Sequence, residues 1–155
     1  MPLAAVLLSL VGLAPFVVCG LAALGPSAGT AGAMLTALIT WAALVLAFTG
    51  GIHWGLVLRE TEPVAPMRHL RLALAVLPLL VGWAVLLLPL LVGDWPALLL
   101  LIVGFIAGLL LEHHAGRRGM LPPRYLWLRW GFTVVAVAML TTVLTLRLLG
   151  QTIVF

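Results

Sequence analysis

Hydrophobic positions along this chain come in runs and not in alternation. Five stretches, 3–24, 33–58, 72–92, 97–111 and 125–149, consist almost entirely of apolar and small residues, and polar residues collect between them. A helix crossing the apolar core of a bilayer needs about 20 such residues. The pattern predicts an all-α membrane protein, a bundle of five transmembrane helices forming a single domain over residues 1–155. The fourth run is short and is expected to continue as helix through Glu112 and the histidines that follow it. Gly25-Pro26-Ser27 closes the first run, Gly93-Asp94-Trp95-Pro96 forms a turn after the third, and Pro122-Pro123 leads into the fifth. Pro15, Pro78 and Pro89 fall inside runs, which membrane helices tolerate when neighbours re-satisfy the freed carbonyls. No internal repeat is evident, and five spans argue against a two-fold transporter duplication.

Charge orients this bundle. Arg59, Arg68 and Arg71 follow the second run; Arg117, Arg118 and Arg124 follow the fourth, with Arg129 just inside the fifth. Arg147 alone belongs to the other side. Basic loops stay cytoplasmic, so seven arginines against one predict a cytoplasmic N-terminus and an outside C-terminus. Trp95 and Tyr125 fall at the expected interfaces, where aromatic belts form.

Composition agrees. The chain is 65% hydrophobic and 8% charged, with a mean hydropathy of +1.30, far from the balance of a soluble domain. The net charge of +4 does not indicate nucleic acid, because the arginines mark topology and form no extended basic face. The single Cys19 has no partner for an intrachain disulfide. Residues 1–20 have no positive leader region and no small-residue cleavage site, and Val18 precedes Cys19 where a lipoprotein needs a small residue. They are expected to form an uncleaved first span. The absence of lysine and the abundance of Ala, Leu, Val, Gly and Arg suggest a GC-rich bacterial genome, hence a multi-pass protein of the bacterial inner (cytoplasmic) membrane.

Polar residues inside apolar runs are the candidates for chemistry. His53 lies about 9 Å inside the cytoplasmic end of the second run at the usual helical rise. Thr49, His53 and Glu60 share one helical stripe, while Gly51 and Gly55 form a small-residue groove on the opposite side. Gly104 and Gly108 repeat that device in the fourth run and lead to Glu112. Arg129 and Thr133 share a face of the fifth. Each polar group has two readings. His53 either bonds a neighbouring helix or holds a ligand or proton. Glu112 either pairs with Arg117 or Arg118 at the surface or reaches His53. Arg129 either snorkels to the interface or turns inward to complete a His53–Glu112–Arg129 cluster, with Trp54 and Trp127 or Trp130 walling a pocket.

Other chemistry is thinly supported. His113 and His114 are adjacent and point about 100° apart on a helix, so they cannot easily share a metal ion. No metal is expected, and a haem would require a second intramembrane histidine facing His53. No nucleophilic triad, phosphate loop or dinucleotide fingerprint is present.

Three segments carry a resemblance. Phe48-Thr49-Gly50-Gly51-Ile52-His53-Trp54-Gly55 is similar to a glycine-glycine-x-His-Trp-Gly signature. Leu77-Pro78 with Gly82-Trp83 fits a looser proline-to-tryptophan pattern, and Pro122-Pro123-Arg124-Tyr125-Leu126-Trp127-Leu128-Arg129 followed by Thr133 fits a third. Together they resemble the domain of unknown function 3429 family, the transmembrane-protein-69-like small polytopic membrane proteins of bacteria and mitochondria. Arg124, Phe132 and Glu112 depart from that pattern where Trp, Leu and Asp are usual; the last departure keeps a carboxylate. His113 and His114 are peculiar to this chain. The resemblance implies an inner-membrane protein and supplies no reaction.

Two functional expectations follow. The first is a non-enzymatic accessory subunit or assembly partner of a larger inner-membrane complex, such as a respiratory or other energy-transducing one, packing through Gly51, Gly55, Gly104 and Gly108 against other integral membrane proteins or a second copy. The second is a lipid-, quinone- or proton-binding site using His53, Trp54, Glu112, Arg129 and Thr133. Secondary transport is a weaker third. No catalytic residue and no cofactor is assigned; quinone and haem are the cofactors the second expectation leaves open. An inward Arg129 favours the site, and a snorkelling one favours packing.

Overall fold

The computed structural model describes residues 3–25, 27–59, 72–119, 121 and 123–152, without the side chains of residues 5, 56, 59, 151 and 152. Glu60, Arg68, Arg71 and Pro122 lie outside this set. Five helices account for nearly all of it: α1 (Leu3–Ala22), α2 (Ala28–Arg59), α3 (Leu77–Leu91), α4 (Asp94–Arg117) and α5 (Pro123–Thr152). No strand occurs among the described residues. Four stretches, Ala28–Gly55, Leu72–Leu91, Asp94–Arg117 and Pro123–Gly150, are long and apolar enough to cross a bilayer, and a shorter apolar stretch covers Val6–Ala22. The chain is thus a helical membrane protein.

Local chemistry sets the helix ends. Pro78 enters the first turn of α3, where its missing N–H is one that no helix would satisfy. Gly93 holds φ at +105°, a conformation that L side chains avoid, and so lets α3 reverse directly into α4. The expected turn at 93–96 is consequently shorter. Only Gly93 turns, and Asp94, Trp95 and Pro96 already form the first turn of α4. Gly119, with φ +75°, closes the other end of that helix. The fourth run, expected over 97–111, is a helix of 24 residues that does continue through Glu112 and both histidines.

The helices form a closed ring in chain order, α1 against α2, α2 against α3, α3 against α4, α4 against α5 and α5 against α1; α2 also meets α4 across the middle. Trp41 on α2 donates through Nε1 to the Gly12 carbonyl of α1 at 3.0 Å. Phe16 on α1 is fully buried and meets Phe105 of α4 and Phe132 of α5 edge to face, at 5.9 and 5.8 Å. These are favourable aromatic geometries. The core is narrow, and large side chains such as Leu90 and Trp127 face outward, as lipid-facing positions do.

Close packing inside the bundle falls on Gly50, Gly82 and Gly104. A Cβ on Gly50 would collide with the Ala75 carbonyl of the segment leading into α3, and one on Gly82 would come within 2.8 Å of the Ala43 carbonyl of α2. At Gly51 and Gly55, expected to pack, nothing among the described residues lies within 4 Å of a Cβ position. Gly50 and Gly51 differ by about 100° on the helix, and it is Gly50 that faces α3. Gly104 does pack closely, with Leu46 2.8 Å from its Cβ position, and Gly108 faces Arg129 Nη2 at 3.6 Å.

Candidate functional site

Three helices each bury one stripe, and each stripe ends in polar residues at the same end of the bundle. On α4 the buried positions run Leu98, Leu101, Phe105, Leu109 and Glu112. On α5 they run Arg129, Thr133, Ala136, Leu140 and Val143, and on α2 Leu35, Leu38, Ala42, Leu46 and Thr49, with His53 one turn on. The steps of three and four residues are those of a single helix face. With the helices rotated in this way, helix periodicity delivers a carboxylate, a guanidinium and an imidazole to one junction of α2, α4 and α5.

Glu112 is the centre of that junction and is 1% exposed. Arg129 Nε donates to its Oε2 at 2.7 Å. Tyr125 Oη donates to Oε1 at 3.3 Å, and His53 Nε2 lies 3.4 Å from the same oxygen. The surface pairing considered for Glu112 with Arg117 or Arg118 is replaced by this buried set. Arg129 does not snorkel; it is 7% exposed and turned into the bundle. His53, with 32% of its side chain exposed, is the outermost of the three. Thr49 donates to the Leu46 carbonyl at 2.7 Å. Arg129 Nη2 and Thr133 Oγ1 are buried with no hydrogen-bond partner among the described residues.

A cavity of about 480 Å³ adjoins this cluster between α1, α2 and α5. Its lining includes Trp41, Phe48, Thr49, Tyr125, Arg129 and Phe132. Leu8 and Phe48, on its rim, are each 70% exposed, so it opens sideways from the bundle. Thr49, Tyr125 and Arg129 give polar groups to one end and Ser9 adds a hydroxyl from α1, while the Phe132 end abuts Phe16.

The tryptophans fall elsewhere than expected. Trp54 donates to the Leu72 carbonyl at 3.1 Å and borders a smaller hollow of about 260 Å³ beside Gly50 and Ala75. Trp127 is 81% exposed, and Trp130 meets His113 edge to face at 5.9 Å. The aromatic walls come instead from Trp41, Phe48, Tyr125 and Phe132. Tyr125, read from the sequence as an interfacial anchor, is a direct partner of Glu112. Its place one turn before Arg129 was the available signal, because residues four apart share a helix face.

A family model described as a protein of unknown function (DUF3429) matches residues 1–145, and the chain belongs to that family. Nothing among the curated proteins and nothing among the solved structures matches it.

Proposed function

We propose that this DUF3429 protein is an intramembrane binding protein that holds a small amphipathic molecule, a lipid or a quinone, in the cavity between α1, α2 and α5, its polar end against the Arg129–Glu112–His53 cluster. The observation that carries the reading is the inward Arg129, 7% exposed and on the cavity wall. A buried ion pair is costly to desolvate and seldom stabilises more than apolar residues of the same volume. Ionisable groups at such depth mark functional sites by default. The apolar lining with a few convergent polar groups is the usual make-up of a ligand site.

The site's setting in the membrane is part of the proposal. All five helices cross the bacterial inner membrane, with the N-terminus cytoplasmic and the C-terminus outside. Leu3–Ala22 spans about 30 Å at 1.5 Å per residue, the thickness of the apolar core. Arg117, Arg118 and Arg124 sit at the cluster's end of the bundle, which supports placing that end in the cytoplasm.

The test is direct. Full-length protein extracted in mild detergent is expected to carry a small apolar molecule, identified by mass spectrometry of its organic extract. Leu44→Trp, which narrows the cavity mouth from an exposed position, is expected to abolish that recovery while leaving the melting temperature unchanged. Equal recovery from both proteins overturns the proposal. The accessory-subunit reading keeps one support, the uncovered Gly51–Gly55 edge of α2. Under that reading, native gels of endogenous protein show a reproducible larger complex that Gly51→Leu disperses.

A further inference from the structure

We infer that the occupant of the cavity is a neutral, single-chain amphiphile whose head is a flat ring bearing carbonyl oxygens, the chemistry of a prenylated quinone. The inference rests on the binding function proposed above and specifies its ligand.

Charge is the first argument. The cation at the polar end is already matched, because Arg129 Nε is bonded to Glu112 Oε2 at 2.7 Å. A phosphate or carboxylate head would add a second anion beside Glu112 in an apolar setting, and a buried charge without its own counter-ion is strongly disfavoured. A neutral head needs only donors. Arg129 lines the cavity with a guanidinium that has N–H groups beyond the Nε bonded to Glu112. These suit a carbonyl oxygen, an acceptor that brings no charge. Nη2, buried against Gly108, is not among those that face the cavity.

Shape is the second. From Ile52 to Trp41 the α2 wall extends eleven residues, and from Tyr125 to Phe132 the α5 wall extends seven. At the helical rise these are about 16 and 10 Å. A slot of that length and about 480 Å³ takes one ring and the first part of one chain. A glycerophospholipid would have to insert two chains side by side. The open rim at Leu8 and Phe48 lets the remainder of a single chain leave into the lipid.

The lining is the third. Trp41, Phe48, Tyr125 and Phe132 supply four aromatic side chains to one small cavity. Flat conjugated rings gain from offset or edge-on contacts with such side chains beyond what aliphatic chains gain by burial.

The full chain in zwitterionic-lipid nanodiscs provides the test, with decyl-benzoquinone as one probe and phosphatidylglycerol as the other. Quinones quench indole fluorescence on contact. The part of the emission lost in Trp41→Phe is expected to be quenched saturably by the benzoquinone, with one molecule retained per chain in native mass spectrometry. Leu44→Trp is expected to weaken retention about tenfold. Phosphatidylglycerol retained at one per chain and displaced by Leu44→Trp, with no saturable quenching, overturns the quinone inference and leaves the binding function standing. Neither probe retained, and Trp41 quenched no more than exposed Trp127, overturns both. Retention of one benzoquinone per chain is read on wild-type protein by native mass spectrometry, so a variant that fails to fold does not decide the outcome.

Discussion

Helices α4 and α5 carry an arginine–carboxylate pair at each end, and the two pairs behave differently. Asp94 and Glu112 are 18 residues apart on α4, and so are Arg129 and Arg147 on α5. That interval is five turns, about 27 Å, so both pairs occupy the same faces of the same two antiparallel helices. At one end Arg129 and Glu112 meet at 2.7 Å with side chains 7% and 1% exposed. At the other, Arg147 and Asp94 stand 3.9 Å apart with side chains 31% and 44% exposed. Rotation is common to both, and the covering is not. Near Glu112, α2 brings His53 and α5 adds Tyr125, whereas none of the described side chains joins the Asp94–Arg147 pair. An ion pair's worth follows from what excludes water around it more than from the residues that form it.

The largest expected effect comes from breaking the buried pair on one side only. Glu112→Leu or Arg129→Met leaves a lone charge in the bundle and should destabilise the protein by about 3–5 kcal/mol, read as a fall in the detergent-solubilised melting temperature. The double variant Glu112→Leu/Arg129→Met sharpens the comparison. It removes both charges and should recover most of that loss while ligand recovery stays abolished. A double variant that is as unstable as either single one would mean that the pair is held for stability.

His53→Ala should have an intermediate effect, about 0.5–1.5 kcal/mol, the usual net value of one hydrogen bond, because Arg129 and Tyr125 continue to satisfy Glu112. The smallest change is expected at the exposed end. Asp94→Asn should cost less than about 1 kcal/mol and should be masked by added salt, unlike the effects at Glu112. A salt-insensitive loss at Asp94 of the size seen at Glu112 would erase the distinction between the two ends.

Much of this was readable in the chain, and the exceptions share a cause. The apolar runs became helices because backbone groups in an apolar setting must bond within their own segment, which leaves helix as the default. The polar residues that form the cluster, His53, Glu112 and Arg129, stood out because ionisable groups are rare in such runs. Their orientation did not stand out. In a water-soluble helix polar residues mark the outer face, but here leucine and valine occupy inner and outer faces alike. The choice between Gly50 and Gly51 as the packing glycine, or between a snorkelling and an inward Arg129, therefore has no sequence period to decide it. Tyr125 reads as an anchor in the sequence because a tyrosine at a span's end fits an aromatic belt as well as it fits a carboxylate partner.

The sequence by itself determined which segments form helices, the end of the bundle where arginines gather, and the small set of polar groups available to it. The tertiary structure alone decided how each helix is rotated, and so which glycine lies against Ala75, which arginine meets Glu112 under cover, and where a cavity remains between α1, α2 and α5. The division has one physical reason. Span formation is settled within each segment by the bilayer, whereas rotation is settled between segments by side-chain packing and buried hydrogen bonds.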